Sequence, residues 1–450
     1  MPLTVLSDGD VRSLLHSFNK EDIEKLQENL AESLHEYSTG DTNAGCAAAH
    51  QPQRTVIKRK GVSTLFMPAA TGQAMGMKIV ALETPPPPST PTMSPTSPTT
   101  TDDTEGRKDS KTSLNSAMGA LSTVSTDQSS ASSISGSSFQ PPASLASISS
   151  TTPRGTLTIL NRAGTPLGFV NAEELTAFRT ALAATMLFAK RATVNHITIF
   201  GAGKQAYWHL RLALTLRGME IKHVHIINRS FERAMALMKA FQVDEASNPT
   251  VHTHARFSAL SPSFQDYGRL LKQEVRNADV IFTCTPSLDP LFPAEFLTSS
   301  EGRRKGRLVS AIGSYAPHMT ELHPDIFRQA IEGGKPGQPT HHHHHHRHAV
   351  TSGVVLVDSL ESCLREAGEI VQAKLKPEHL VEVGELLMIK KAAMREIELG
   401  GKGEQGLREW LVKGNVLYKS VGLGLMDLRV GWDLVHAARE RGVGTTIEDF

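Results

Sequence analysis

The feature that most constrains the fold is a glycine-rich turn between a β-branched run and an apolar helix. His196–Phe200 precedes the turn 201–206, GAGKQA, and apolar residues then recur at helical spacing to about Leu216. A second apolar run, Val224–Ile227, follows the helix. Strand, glycine turn, helix and strand in this order form the unit that places a pyrophosphate at a helix N-terminus. The segment therefore predicts a dinucleotide-binding βαβ unit.

The two glycines have separate roles in such a turn. Gly201 would permit the tight bend, and Gly203 would let backbone N–H groups approach the phosphates because no Cβ stands in the way. Ala206 replaces a third glycine, which the packing of helix on strand tolerates. A chance glycine turn in an ordinary βαβ unit is the alternative. We predict cofactor contacts from Gly201, Ala202, Gly203, Lys204 and Gln205.

The end of the second strand bears on the choice between NAD and NADP. NAD sites usually carry Asp or Glu there, to accept a hydrogen bond from the ribose 2′-hydroxyl. This chain has Asn228, Arg229 and Ser230 at the tip, with Arg233 one turn further on. A guanidinium suits a 2′-phosphate through charge-assisted hydrogen bonds, whereas a solvated loop arginine is the alternative. The pattern favours NADP(H) over NAD(H), bound in part by these three residues at the tip.

The composition excludes several other classes of protein. The chain of 450 residues can hold two domains, and its net charge of +1 provides no basic field for nucleic acid. Its three cysteines, Cys46, Cys284 and Cys363, are too widely spaced for a disulfide framework or a metal knuckle. No run of about 18 apolar residues predicts a transmembrane helix, and the N-terminal residues do not resemble a secretory signal. We expect a cytoplasmic protein without a membrane or nucleic-acid partner.

Two segments differ in composition from the rest of the chain. Residues 84–152 are dominated by Pro, Ser and Thr and have too few large apolar side chains to offset the entropy lost on ordering. We predict a disordered insertion between two strands, with a phosphorylated regulatory loop as the alternative. Residues 332–348 form a Gly/Pro loop with six consecutive histidines. Because no cysteine or acid is paired with them, we predict no ordered metal site.

The remaining periodicity predicts an α/β chain. Before the glycine unit we predict two amphipathic helices within Asp8–Tyr37, strands at Thr55–Lys60, Ser63–Met67 and Met77–Leu82, a hairpin of Gly155–Leu160 with Pro166–Phe169, and a helix at Ala172–Ala192. After it we predict helix Ser230–Phe241, a strand near His252–His254, helix Ser263–Val275, strands Val280–Cys284, Arg307–Ile312 and Val354–Val357, and helices around Ser359–Gln372, Leu407–Val412 and Met426–Arg441.

This alternation predicts a doubly wound parallel sheet, the Rossmann arrangement, together with a smaller mixed α+β domain. The dinucleotide-binding domain would span 191–424. The smaller, substrate-binding domain would comprise 1–83 and 153–190, with part of 425–450 returning to it.

Eight stretches of the chain carry a resemblance to a known family: RTVIKRKGVSTLFMPAATGQAMGMKIV, LTAFRTALAATMLFAKR, IFGAGKQA, ADVIFTCTPS, GSYAPHMTELHPDIF, VDSLESCLREAGEI, VGELL and YKSVGLGLMD. They resemble stretches of the ornithine cyclodeaminase/mu-crystallin family and follow one another in the same order as in that family. Together they cover nearly all of the chain except the two insertions. The resemblance implies redox chemistry at an amino- or imino-acid carbon next to a carboxylate, and a homodimer built through the smaller domain. It also implies a nicotinamide between Thr283–Pro286 and Val421–Gly424, with contacts from Thr283, Thr285, Val421 and Gly422.

Three basic residues fit the family's site for a substrate carboxylate: Arg54, Lys78 and Arg179. Arg54 can grip a carboxylate with a planar fork, while Lys78 supplies a point charge that can also protonate the reacting nitrogen. We therefore predict Lys78 as the catalytic residue and all three as substrate-binding residues. A solvated surface charge is the alternative for each of them on sequence alone.

The chain departs from the cyclodeaminases at two acids. Where they carry an aspartate two residues before the proline of GSYAP, this chain has Tyr315, and where they carry a glutamate three residues before the proline of FMP, it has Leu65. A tyrosine, with an ordinary pKa of about 10, stays protonated and cannot readily replace the aspartate. Members that resemble mu-crystallin and the ketimine reductases also lack this aspartate and use NADPH, in keeping with Arg229.

These observations favour NAD(P)H-dependent reduction, or the reverse oxidation, of the C=N bond of a small imino acid. The chain would then lie closer to the ketimine reductases than to the cyclodeaminases. Two alternatives stay open. One is an ornithine cyclodeaminase-type lyase that releases ammonia, in which another acid such as Glu321 replaces the missing aspartate. The other is an NADPH-dependent small-ligand-binding protein without turnover.

Overall fold

A computed structural model of the chain describes residues 2–40, 48–49, 51–59, 62–83, 154–247, 251, 253–332, 353–386 and 405–450. All of these residues belong to one compact unit. The Pro/Ser/Thr-rich segment predicted at 84–152 lies outside the described residues, and so does the His-rich loop beyond Glu332.

Strands and helices are numbered in chain order. The strands are β1 (Leu3–Leu6), β2 (Thr55–Arg59), β3 (Val62–Ala70), β4 (Ala74–Glu83), β5 (Arg154–Asn161), β6 (Pro166–Asn171), β7 (His196–Phe200), β8 (His223–Ile227), β9 (Arg256–Leu260), β10 (Val280–Thr283), β11 (Leu308–Ala311), β12 (Val355–Val357), β13 (Leu380–Glu382), β14 (Val416–Lys419) and β15 (Thr445–Ile447). The helices are α1 (Asp8–His16), α2 (Lys20–Thr39), α3 (Ala172–Phe188), α4 (Lys204–Arg217), α5 (Phe231–Ser247), α6 (Tyr267–Asn277), α7 (Glu295–Thr298), α8 (Pro324–Glu332), α9 (Leu360–Glu366), α10 (Gly368–Ala373), α11 (Gln405–Lys413) and α12 (Gly424–Arg441).

One sheet has eight parallel strands in the order β13-β12-β14-β11-β10-β7-β8-β9. Its central strands β10 and β11 are mostly apolar and buried throughout, as expected when helices cover both faces of a parallel sheet. The chain winds outwards from β7 to β9 on one side and from β10 through β11 to β12 and β13 on the other, with β14 inserted between β11 and β12. The strand order therefore reverses between β7 and β10, which is where ligands bind in sheets of this kind. The predicted Rossmann fold class is confirmed.

The other sheet has seven strands in the order β15-β1-β6-β5-β4-β3-β2, of which β2 to β6 form an antiparallel meander. Helices α3 and α12 pack against this meander through side chains such as Leu157, Leu175 and Leu428, all at most 1% exposed. Helix α3 also packs against α4 of the Rossmann unit. One apolar core therefore extends between the two sheets and fixes where β4, α3 and α12 meet.

Two predicted elements are wrong in their positions. The helix predicted at Ala172–Ala192 ends at Phe188, because the chain turns so that Arg191 donates to the carbonyl oxygens of Leu411 and Gly414, both at 2.7 Å. The strand predicted near His252–His254 lies instead at Arg256–Leu260. Pairing with β8 sets its position, and the half-polar sequence of an edge strand does not reveal such pairing.

Candidate active site

The glycine turn forms a backbone cradle at the start of α4. Gly201 has a φ of +111°, and a Cβ there would lie 2.9 Å from the carbonyl oxygen of Cys284, just after β10. Gly203 is the N-cap of α4, and a Cβ there would have no heavy atom within 4 Å. The first turn of a helix leaves backbone N–H groups without intrahelical partners at the positive end of the dipole. The open space at Gly203 therefore fits a dinucleotide pyrophosphate.

The side chains of Lys204 and Gln205, beside the cradle, differ in whether they already have partners. The Lys204 ammonium lies 2.7 Å from Glu173 Oε1 and 2.9 Å from Glu174 Oε1 on α3. Because its charge is balanced there, we expect Lys204 to offer a phosphate only its backbone N–H. Ala202 is buried, and Gln205 Oε1 is buried with no hydrogen-bond partner among the described residues. A ligand with a donor group would satisfy this acceptor.

The loop after β8 holds one free cation. Asn228 Nδ2 donates to the carbonyl oxygen of Ser230 at 2.8 Å, and Ser230 Oγ donates to Glu232 Oε2 at 2.7 Å. The Arg229 side chain is exposed, and none of the described residues forms a hydrogen bond or ion pair with it. Its guanidinium is therefore available to an anion, whereas Asn228 and Ser230 hold the shape of the loop.

The strand ends at β10 and β11 are joined by a buried acid, Glu321. Its carboxylate accepts from Thr283 Oγ1 at 2.9 Å, from the Thr285 N–H at 2.7 Å and from the Gly313 N–H at 2.6 Å. Burial raises the pKa of Glu321. Because Glu321 is fully buried and its oxygens bind these loops, the geometry does not favour it as a substitute for the acid missing at Tyr315.

Lys78 on β4, Arg179 on α3 and Asp427 on α12 meet in a buried cluster. Lys78 Nζ lies 2.7 Å from Asp427 Oδ1 and 2.8 Å from Thr176 Oγ1, and Arg179 Nε lies 3.2 Å from Asp427 Oδ2. The side chains of Lys78, Arg179 and Asp427 are 2%, 6% and 0% exposed. Two cations share one carboxylate, so this Lys78–Asp427–Arg179 cluster has a net positive charge and suits an anion.

The environment of Lys78 changes its acidity. Burial lowers the pKa of Lys78, the Asp427 carboxylate opposes this, and the charges of Arg179 and Arg54 add to the lowering, with a resulting pKa of about 8. A group with a pKa near the ambient pH is well suited to proton transfer, because it holds its proton and also releases it readily.

The backbone of Gly422 confines the Arg179 guanidinium. Gly422 has a φ of +88°, and a Cβ there would lie 2.8 Å from Arg179 Nη2 and 3.0 Å from Nη1. On its other side, Arg179 Nη1 makes a weak contact of 3.5 Å with Met426 Sδ. No described carboxylate pairs with Nη1 or Nη2, so both are available to a ligand.

Arg54 lies at a cleft that adjoins the cluster, but it already has a partner. Arg54 Nε donates to Glu366 Oε1 at 3.2 Å, and Arg54 Nη2 forms an ion pair with Glu366 Oε2. A substrate carboxylate would therefore compete with Glu366 for this arginine. The lining of the cleft includes Tyr37, Arg54, Met67, Arg365, Gly422 and Gly424.

The two positions that depart from the cyclodeaminases both lie near this region. Leu65 pairs with Val80 across β3 and β4, two residues from the Met67–Lys78 pair, so alternation places Leu65 on the face that carries Lys78. Tyr315 lies in the loop after β11 and is 39% exposed. Burial of part of its ring raises the pKa of the Tyr315 hydroxyl, which keeps it protonated.

Sequence reasoning missed Asp427, Glu366 and Asp358, the last of which binds the loop at Gly422. A usable signal existed for Asp427, because it is an acid within an apolar stretch of α12, GLMDLRV, where an unpaired charge would be costly. No comparable local signal marks Glu366 or Asp358, whose partners are distant in sequence.

The described residues include no helix with the length and hydropathy needed to cross a membrane. Within the same ranges, no group of three or more His, Cys, Asp or Glu side chains could hold a metal ion.

Comparison with known proteins finds relatives along most of the chain. No family model matches it. It is 29% identical over 287 residues to the Delta(1)-pyrroline-2-carboxylate reductase of Bacillus thuringiensis subsp. konkukian, covering 63% of this chain and 71% of that protein. It is 24% identical over 283 residues to an uncharacterized cyclodeaminase of Dictyostelium discoideum, covering 62% and 68%. The Thermococcus litoralis Delta(1)-pyrroline-2-carboxylate reductase, solved with NADH and L-proline, has the same fold, with a TM-score of 0.61, 17% identity and coverage of 99% and 100%.

Proposed function

The chain belongs to the ornithine cyclodeaminase/mu-crystallin family, and from this premise we propose that it uses a nicotinamide dinucleotide to reduce the C=N bond of a small imino acid, or to catalyse the reverse oxidation. The similarity to Delta(1)-pyrroline-2-carboxylate reductases supports this assignment. The observation that carries the proposal is the Lys78–Asp427–Arg179 cluster. It combines a net positive charge, free guanidinium N–H groups and a lysine with a pKa of about 8.

The cofactor would be held by the cradle at Gly201 and Gly203, where the backbone N–H groups of α4 would donate to the pyrophosphate. Thr283 ends β10, and Thr285, Val421 and Gly422 belong to the loops after β10 and β14. All four residues would border the nicotinamide. When bound, the nicotinamide supplies or accepts the hydride.

Within this arrangement the chain's own residues orient the substrate and move one proton. Arg179 would bind the substrate carboxylate through Nη1 and Nη2, which the structure leaves free, and Arg54 would add a second contact after exchanging Glu366 for substrate. Lys78 would donate its proton to the imine nitrogen as the C=N bond is reduced. Asp427 holds the Lys78 ammonium at 2.7 Å and sets its direction. Fixing the reacting groups in this way lowers the entropic part of the barrier.

The proposal extends to NADP(H) rather than NAD(H). It is supported by the exposed, unpaired guanidinium of Arg229 and by the absence of an acid at the tip of β8. We also propose a homodimer built through the seven-stranded sheet. A structural neighbour, an archaeal alanine dehydrogenase with bound NAD, is described as a dimer.

The lyase alternative receives less support. Deaminative cyclisation needs a carboxylate to take a proton, but Tyr315 is a protonated phenol, Leu65 is apolar, and Glu321 is enclosed by its hydrogen bonds. No feature of the described site favours a binding protein without turnover over an enzyme.

The decisive experiment separates the three functions with one purified protein. NADPH oxidation is followed with Delta(1)-pyrroline-2-carboxylate, with other cyclic ketimines, and with 2-oxo acids mixed with amines, while ammonia release is measured with ornithine. We expect NADPH oxidation with at least one cyclic imino acid and no ammonia from ornithine. Ammonia release would instead assign the lyase, and saturable NADPH binding without any turnover would assign a binding protein.

A further inference from the structure

The carboxylate of Asp358 is buried directly behind the candidate carboxylate site. Asp358 follows β12 and is 1% exposed. Its Oδ2 accepts from Ser420 Oγ at 2.6 Å and from the Gly422 N–H at 2.7 Å, and its Oδ1 accepts from the Ser359 N–H at 2.9 Å. The Val421 N–H lies 3.2 Å from Oδ2 and 3.3 Å from Oδ1. One side chain thus ties three consecutive residues after β14 to the end of β12.

The donors to Asp358 are neutral. Among the described residues, no lysine, arginine or histidine forms an ion pair with it. Burying a carboxylate without a cation is costly, and its neutral donors compensate only when their geometry is well fixed. Hydrogen bonds to a charged acceptor are also stronger and shorter than those between neutral groups. The arrangement therefore holds the turn 420–422 more rigidly than an amide or a hydroxyl at the same position would.

This turn is the one that confines Arg179. With its φ of +88°, the Gly422 backbone lies so close to the guanidinium that a Cβ would be 2.8 Å from Nη2. Asp427 holds the same guanidinium from the other side, at Nε. A shift of the turn would therefore let Nη1 and Nη2 move, while the ion pair between Nε and Asp427 remains.

We propose that Asp358 is a positioning residue for substrate binding: it fixes the turn 420–422, and the turn fixes the orientation of the Arg179 guanidinium. The inference rests on the proposed function, in which Arg179 binds the substrate carboxylate. Asp358 itself touches neither substrate nor cofactor.

The test is a double-mutant cycle between Asp358→Asn and Arg179→Lys, with KM and kcat for Delta(1)-pyrroline-2-carboxylate measured at saturating NADPH. Lysine keeps the charge but has no planar group for the turn to orient. In the otherwise unmodified protein we expect Asp358→Asn to raise KM roughly tenfold and to change kcat much less. A tenfold change corresponds to the loss of one well-oriented charge-assisted contact between Arg179 and the substrate. In the Arg179→Lys background the same substitution should change KM less than about twofold, because the oriented group is gone.

Asp279→Asn is the matched control. Asp279 is also a buried aspartate, 4% exposed, whose carboxylate accepts the His196 N–H at 2.9 Å and pairs with Lys305 at 2.8 Å, but it precedes β10 at the amino ends of the strands. The Asp279→Asn substitution should lower the thermal midpoint of unfolding without changing KM. If Asp358→Asn does not fold, Ser420→Ala removes one of the donors to Asp358 and should show the same pattern with a smaller increase in KM.

An equal rise in KM in both backgrounds, or a lower thermal midpoint with unchanged KM, would reduce Asp358 to a structural role and overturn the inference. If the unmodified protein turns over no imino acid, the proposed function fails, and the same cycle is then measured on the dissociation constant of L-proline with NADP bound. Coupling between the two positions in that constant would support the inference, and additivity would reject it. Absence of both turnover and L-proline binding would overturn both proposals.

Discussion

The dinucleotide cradle and the Lys78–Asp427–Arg179 cluster differ in how they are built. The cradle comes from one continuous segment, β7 through the end of β8, and most of its predicted contacts are backbone N–H groups that Gly201 and Gly203 leave accessible. The cluster is assembled from β4, α3 and α12, which are far apart in sequence. Lys78 is separated by 98 residues from Thr176 on α3 and by 349 residues from Asp427 on α12. The contacts of the cluster are full charges on side chains that water hardly reaches.

The difference has consequences for tolerance to substitution. Backbone donors at a helix N-terminus are present whatever the side chain, so the cradle is sensitive mainly to the atoms that a Cβ adds. Buried charges depend on one another, because removing one partner leaves the other charge unpaired in the protein interior, where water does not solvate it. We therefore expect single side-chain changes in the cluster to have larger effects than those in the cradle.

The largest effect is expected from removing a cation of the cluster. Lys78→Met and Arg179→Met should each lower kcat/KM for imino acid reduction by about thirtyfold or more, since truncating one member of a buried charge pair costs roughly 2–5 kcal/mol. NADPH affinity, measured by fluorescence titration, should stay within about threefold. Arg191→Met is the matched control, because Arg191 is also buried but, among the described residues, donates only to the carbonyl oxygens of Leu411 and Gly414. It should lower stability and leave kcat/KM unchanged.

The next effect concerns Asp427, whose carboxylate pairs with both Lys78 and Arg179, and the pH dependence of kcat/KM. The proton donor must be protonated, so kcat/KM for reduction should fall as the pH rises through about 8, the pKa of Lys78. Asp427→Asn removes the charge that raises this pKa, so the alkaline limb of the profile should move to lower pH. Thr176→Val is the milder comparison, because Thr176 is a neutral acceptor for Lys78 at 2.8 Å. An unchanged alkaline limb in Asp427→Asn would show that Lys78 is not the group that titrates.

Lys78 also links stability to pH. Its folded-state pKa of about 8 lies below its ordinary value of 10.5, so between these values the unfolded chain binds a proton that the folded chain lacks. The contribution of Lys78 to the free energy of unfolding is therefore least below about pH 8 and increases with pH towards 10.5. Denaturant unfolding of Lys78→Met against the unmodified protein across this range should show the difference.

Much of the fold could be predicted because its signals are local. The glycine turn, the β-branched runs and the capped helices α1 and α2 are readable from short segments, and the parallel sheet follows from their alternation. Strands β13 and β14 were missed, like β1 and β15, because each has only three or four residues and lacks the uninterrupted apolar run that marks the equally short β12. Strands β13 and β14 exist through pairing with β12 and β11, which no local pattern contains.

The candidate site could be predicted only in part, for the same reason. Lys78, Arg179 and Arg54 were suggested by resemblance, whereas the sequence did not indicate that Asp427 holds two of them or that Glu366 holds the third. These partnerships are set by how α9 and α12 pack against other elements. Lys204 illustrates the converse, since its place in the glycine turn suggested a phosphate ligand but its ammonium binds Glu173 and Glu174.

A smaller effect is expected at the exposed cation of the cradle. Arg229→Ala should lower NADPH affinity about tenfold to a hundredfold and leave NADH affinity nearly unchanged, since a charge-assisted contact to a 2′-phosphate contributes roughly 1.5–3 kcal/mol. Arg162→Ala, at an exposed hairpin of the other sheet, controls for the loss of one positive charge. Equal affinities for both cofactors in the unmodified protein would refute the preference for NADP.

A smaller effect again should follow from adding one methyl group to the cradle. Gly203→Ala places a Cβ in the open space at the start of α4 and should weaken NADPH and NADH equally, by about tenfold or less, because both share the pyrophosphate. The φ of −107° at Gly203 is ordinary for alanine, so folding should be unaffected. Gly268→Ala in α6 is the matched control, since a Cβ there also has no heavy atom within 4 Å. If Gly203→Ala binds both cofactors normally, the pyrophosphate lies elsewhere.

The smallest effect is expected from removing the Pro/Ser/Thr-rich segment. Strand β4 ends at Glu83 and β5 begins at Arg154, and the two are antiparallel neighbours in which Ala81 pairs with Arg154. A short turn can therefore join them. Replacing 87–149 with a short Gly/Ser linker should leave the thermal midpoint and NADPH affinity nearly unchanged, because loop closure changes by only about 0.6 kcal/mol for each twofold change in length. A large fall in the midpoint would instead mean that this segment stabilises the meander, and a loss of turnover with an unchanged midpoint would connect it to the cluster, whose Lys78 lies on β4.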